Sequence, residues 1–115
     1  MNIKISPEYG CFPLWISEKD EIYSNVNHYD LNFSEDLKKN IENWNIKFQQ
    51  TLNKEYPPDS SFGSLTDLIE FENEGILVWR DINKQMSNVN VSYFSLLKDR
   101  YYYNLDELIS EINNA

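Results

Sequence analysis

The 115-residue sequence holds one cysteine, one histidine and three glycines, and each scarcity closes a class of explanation. With Cys11 alone no intrachain disulfide can form, which excludes a disulfide-stapled secreted scaffold. Cys11 and His28 together are too few soft ligands for a zinc-type site. Nothing orients them as a nucleophile and base either, so Cys11 is expected to be a small buried hydrophobe and His28 a loop residue. Gly10, Gly63 and Gly75 are isolated from one another, so there is no glycine-rich phosphate loop. The acid-dense stretches Glu18-Lys19-Asp20-Glu21 and Glu70–Glu74 lack the alternate oxygen ligands and turn glycine of a calcium loop, and no cofactor or metal is expected. No apolar run approaches the ~18 residues of a membrane span, and Met1–Glu8 lacks the apolar core of a signal peptide. The expected setting is the cytoplasm, with no catalytic activity.

What the chain has in quantity is acid and aromatic rings. Eight Tyr, six Phe and three Trp supply large buried areas from few side chains, as suits one globular domain over 1–115. The formal net charge of −9 repels nucleic-acid backbones and anionic lipid, so direct binding to either is not expected. The same charge steers a basic protein partner inward, although it also serves plain solubility. Acid is unevenly spread, with residues 1–36 carrying seven acidic and two basic side chains and residues 64–86 five and two.

The longest regular pattern is Ser64–Met86. On a helical wheel Leu65, Leu68, Ile69, Gly75, Ile76, Trp79, Ile82 and Met86 share one side, and Asp67, Glu70, Glu74 and Asp81 share the other. Ser64 with Asp67 three residues on forms a variant capping box. Gly75 costs about 1 kcal/mol relative to Ala in mid-helix, so it marks close contact with another element or a bend. Glu72 falls inside the apolar stripe, where a carboxylate needs either an exposed helix end, hydrogen-bond donors such as Tyr, Trp or Arg, or a cleft. Glu70 and Glu74, at i and i+4 on the solvent side, lack the desolvation that would separate their pKa values for acid–base work.

Around this helix the chain reads in order. Ile3 and Ile5 alternate with polar neighbours as a strand ending at Pro7, a turn follows at Tyr9-Gly10, and Leu14–Ile16 forms a second strand. Glu18–Phe33 is a long polar loop with room for a short strand or turn near Ile22 and Tyr23, and its Tyr23, His28, Tyr29 and Asp30 either bind a partner or pin the loop to the body. Ser34 caps a helix with a stripe of Leu37, Ile41, Trp44, Phe48 and Leu52, running through Asn53, from which Ile46 points away. Tyr56-Pro57-Pro58-Asp59 breaks the chain before Ser64. Val89, Val91 and Tyr93 alternate as a strand, Arg100–Tyr103 forms another across a polar turn, and Asn104 caps a last helix. The pattern predicts an α+β fold of order β-β-α-α-β-β-α, with three or four strands in a mainly antiparallel sheet and helices packed on one face.

Three runs, Ile5-Ser6-Pro7-Glu8-Tyr9-Gly10-Cys11-Phe12-Pro13-Leu14-Trp15, Tyr56-Pro57-Pro58-Asp59-Ser60 and Val91-Ser92-Tyr93-Phe94, resemble those of small acidic bacterial proteins. Within that group the chain is similar to immunity proteins of contact-dependent or polymorphic toxin systems, over about a third of its length. The shared runs carry turns, prolines and aromatics and transfer no catalytic role. The resemblance implies a cytoplasmic inhibitor of a cognate toxin, often a basic nuclease, acting through carboxylates placed where phosphates lie or by covering a nearby surface. Asp67, Glu70, Glu74 and Asp81, helped by Tyr23 and Asp30, are the expected contacts. An acidic adaptor binding a cellular protein unrelated to toxins is the alternative, and a neighbouring toxin gene distinguishes the two.

Overall fold

A computed structural model describes residues 1–19 and 22–113. The observed order is β1 (Asn2–Ile5), β2 (Leu14–Ser17), β3 (Ser24–Val26), α1 (Glu35–Gln49), α2 (Leu65–Gln85), β4 (Asn90–Ser95), β5 (Arg100–Tyr102) and α3 (Leu105–Asn113). Short 3-10 turns at His28–Asp30 and Pro57–Asp59 complete it. The fold is α+β as the periodicities predict, with a five-stranded sheet in the order β3-β2-β1-β4-β5. Three neighbouring pairs are antiparallel, and β1 lies parallel to β4, with Ile3 opposite Val91 and Ile5 opposite Tyr93.

The fifth strand is the main departure from the three or four expected, and it lies at Ser24–Val26, just past the Ile22-Tyr23 position where a short strand or turn is allowed for. Ser24-Asn25-Val26 has a single β-branched residue and no apolar alternation, so local propensity gives no strand there. The Asn25 side chain makes one: its Oδ1 accepts from Phe12 N at 3.0 Å, and its Nδ2 donates to Phe12 O at 2.7 Å and Leu14 O at 3.0 Å. Residues 22–33 are therefore part strand and part 3-10 turn, and of the two readings offered for the loop the pinning is visible at Asn25 and His28. His28, expected as a loop residue, is fully buried, with Nε2 2.8 Å from Glu42 Oε2. Asp20 and Glu21 lie outside the described residues.

Helix starts follow the caps. Ser34 Oγ accepts from Leu37 N, Ser64 Oγ from Asp67 N and Asn104 Oδ1 from Glu107 N, at 3.2, 3.1 and 3.2 Å. The end of α1 comes earlier than the stripe implies, because Thr51 and Leu52 turn back in tight bonds onto Phe48 O and Gln49 O. Asn53 Oδ1 then caps the amides of Glu55 and Tyr56. Cys11 is half-buried rather than buried.

All three helices lie on one face of the sheet, over Ile3, Ile5, Leu14, Tyr93 and Tyr102. The two long helices run antiparallel, since the start of α1 meets the end of α2 where Ser34 N donates to Gln85 Oε1 at 2.8 Å. Helix α2 is packed on two sides, not one: Phe71 and Val78, off the predicted stripe, are buried as well. Phe71 stacks on Trp44 at 4.7 Å, and Trp44 Nε1 donates to Phe71 O at 2.9 Å. Leu65, predicted on the packed side, is 65% exposed. A helix of 21 residues spans roughly 30 Å and outruns the short strands beneath it, so its first turn overhangs the sheet.

Gly75 is the close contact that its cost implied. A Cβ there would stand 2.2 Å from the Tyr93 hydroxyl and 2.8 Å from the Trp44 ring. Gly75→Ala is expected to destabilise the protein by about 1–3 kcal/mol despite the gain in helix propensity, because overpacking outweighs it. Urea unfolding checks this, and a stabilised variant would contradict the packing described.

Candidate functional site

The four acidic residues of α2 are brought together. Asp67, Glu70, Glu74 and Asp81 recur at helical spacing along the edge of α2 that borders α1. Two clefts run in line between the helices. One, of about 380 Å³, is lined by Asp67, Glu70 and Glu74 with Lys47 and Gln50 of α1. The other, of about 300 Å³, is lined by Glu74 and Asp81 facing Asn40, Asn43 and Lys47. Both share Glu74 and Lys47, whose Nζ and Oε1 are 2.5 Å apart. The result is one groove with an acidic wall, an amide-rich opposite wall and a single cation. Trp44 and Phe71 rise to its floor.

The other two expected contacts lie elsewhere. Asp30 is exposed at the end of the 3-10 turn His28–Asp30. That turn packs on α1 through Glu42, which points roughly 140° around the helix from Lys47. Tyr23 is on the face of the sheet that the helices leave open, with the ammonium of Lys4 4.7 Å from its ring centre. Lys4 also stands 5.6 Å from Trp15 and 5.5 Å from Tyr101, so three rings surround one charge. Sequence reading passed over Lys4, Trp15 and Tyr101. Their signal was the alternation Ile3-Lys4-Ile5, which places Lys4 opposite the core, and its register with Trp15.

Glu72 is fully buried and lines none of the clefts described. Its carboxylate accepts from Ser95 Oγ at 3.0 Å, Leu96 N at 2.8 Å and Leu97 N at 3.3 Å, tying the turn after β4 to the middle of α2. The structural hydrogen bond expected of it exists, with a hydroxyl and two main-chain amides as donors. Burial raises its pKa above the usual glutamate value of 4.5, outweighing the donors, which lower it. Burial and then the Glu72 carboxylate push the Tyr93 phenol well above its usual range.

The fold and the groove define an acidic α+β protein that presents open carboxylates along a helix pair. The model of the Serratia CdiI immunity protein-like family matches residues 1–96, and the chain belongs to that family. The match spans β1 to β4 with both long helices, and ends before β5 and α3. No curated protein sequence matches the chain. Among the described residues no helix is long and apolar enough to cross a membrane, and no group of three or more His, Cys, Asp or Glu is placed to hold a metal ion.

The raised pKa of Glu72 fixes the sign of one pH effect. The fold favours the protonated form, so the stability linked to this group is fully present below about pH 4.5 and is lost as pH rises through the higher folded value. Glu72→Gln has no such titration. The stability difference, wild type minus Glu72→Gln, is expected to fall as pH rises from 4.5 toward neutrality and then level off. Parallel stability curves in urea across that range would show that Glu72 titrates alike in the folded and unfolded chain.

Proposed function

We propose that the protein is an immunity protein that neutralises a cognate toxin by taking a basic surface of it into the groove of Asp67, Glu70, Glu74 and Asp81. The observation that carries this reading is the placement of four carboxylates along one wall against the single cation of Lys47. Family membership over residues 1–96 supports a toxin as the partner. If the toxin is a nuclease, its basic surface is the one that receives nucleic-acid phosphates, and a row of carboxylates about one to two helical turns apart competes for it directly. The net charge of −9 accelerates the encounter, and the acceleration weakens as salt rises. Asp30 lies on the other flank of α1, and the groove contact does not include it.

The test is binding to the toxin encoded by the neighbouring gene. Glu70→Lys together with Asp81→Lys, neither of which is ion-paired among the described residues, is expected to slow association and weaken affinity about tenfold or more per reversed charge. Wild-type affinity should fall steeply across a salt series. A wild-type protein that forms no complex would remove the reading, and a complex indifferent to both reversals would move the contact to another surface.

A further inference from the structure

We propose that the toxin contact continues out of the groove, around the overhanging start of α2, and onto the open face of the sheet at Lys4. This rests on the reading above that the chain binds a toxin, and it names the parts of that partner the surface fits. A cleft of about 640 Å³ lies where α2 overhangs the sheet. Phe62, Leu65 and Leu68 line it from the helix side, and Phe94 and Tyr101 from the open sheet face. It shares Thr51, Ser61 and Phe62 with the cleft of Asp67 and Glu70. At its other end Tyr101, edge-on to Phe94 at 4.9 Å, is one of the three rings around Lys4. The surface is therefore continuous: the carboxylates of α2, then a mainly apolar hollow whose lining also includes the exposed Glu8, then a cation in aromatic walls.

That succession specifies one occupant. It is a segment of the toxin that seats an apolar side chain in the hollow, holds a basic side chain toward Asp67 and Glu70, and offers a carboxylate toward Lys4. Lys38, Lys47 and Arg100 each have a carboxylate partner within the chain. Lys4 shares with Lys39 and Lys84 the lack of a carboxylate partner among the described residues, and what sets it apart is the three rings that hold its ammonium at the end of this surface, where a partner's acid can meet it. A second copy is a poor occupant, because a two-fold contact through the open face sets Lys4 against Lys4, and the strand residues there, Asn2, Trp15, Asn25, Ser92 and Phe94, supply no acid. Leu65, at 65% exposure, is the apolar anchor point, and its place at the helix start makes it open to a clean test.

The experiment measures affinity of the neighbouring-gene toxin for four proteins. Leu65→Asp puts a carboxylate in the first turn of α2, where the helix dipole favours it, so the fold is retained. It is expected to weaken binding about 30-fold or more, as loss of a buried apolar anchor does. Lys4→Met keeps the side-chain stem among the rings and removes the charge, and is expected to weaken binding about tenfold. Ile46→Asp, on α1 away from every cleft described, is expected to leave affinity unchanged. Wild-type binding that Leu65→Asp leaves within about twofold would overturn the docking path while the groove reading stands. A toxin-free wild type that sediments as a dimer, and a Leu65→Asp protein that does not, would overturn it in favour of a second copy. Absence of any wild-type complex removes the functional reading and this inference together.

Discussion

The missing side chain at Gly75 sets the distance on which the rest of the fold depends. There α2 comes close enough to β4 for Tyr93 to lie under it with no room for a Cβ, and Tyr93 in turn stacks on Trp79 at 5.5 Å. Trp44 reaches into the same gap from α1, so two helices and the central part of the sheet meet around one absent methyl group. Because Gly75 is three residues from Glu72, the same approach brings the buried carboxylate within reach of the Ser95 hydroxyl and the amides of Leu96 and Leu97. A helix standing farther off would leave those donors and that charge unpaired in the core.

Charge is thereby sorted into two kinds within a single helix. Glu72 acts inward, as an acceptor for main-chain donors that no sheet neighbour satisfies. Asp67, Glu70, Glu74 and Asp81 act outward, solvated, and bordered by amides of α1. The inward carboxylate holds the β4–β5 turn in place, and the hollow under Leu65 begins beside that turn at Leu96. The shape of the proposed docking surface thus rests on a residue that no partner touches.

Much of this architecture was legible in the residues because it is local. Caps at Ser34, Ser64 and Asn104, alternation at Ile3 and Ile5, and the cost of Gly75 each act within a few positions of chain. The four carboxylates of α2 were found as a group for the same reason, since helical spacing alone aligns them. What escaped was long-range. β3 exists through side-chain bonds from Asn25 to Phe12 and Leu14, more than ten positions away. Phe71 and Val78 are buried by α1, a second neighbour that a single wheel does not anticipate. Tyr23 and Asp30 share a loop with acidic character, yet the sheet's two faces and the flank of α1 separate them from the groove. The exposure of Leu65 follows from a mismatch of element lengths, which no residue pattern carries.

The pairing of β1 with β4 has a temporal consequence. The first strand to be made occupies the centre of the sheet, and its parallel neighbour is synthesised last but one, with Asn2 and Asn90 bonded across 88 positions of chain. Until residues 90–95 are available, β1 and β2 have an open inner edge and the helices have half a floor. Closing so long a loop makes sheet completion a late, all-at-once event, governed by contact order and not by the quick formation of α1 or α2. A chain stopped short of β4 retains an exposed strand edge with Ile3 and Ile5 uncovered, which marks it for aggregation or proteolysis.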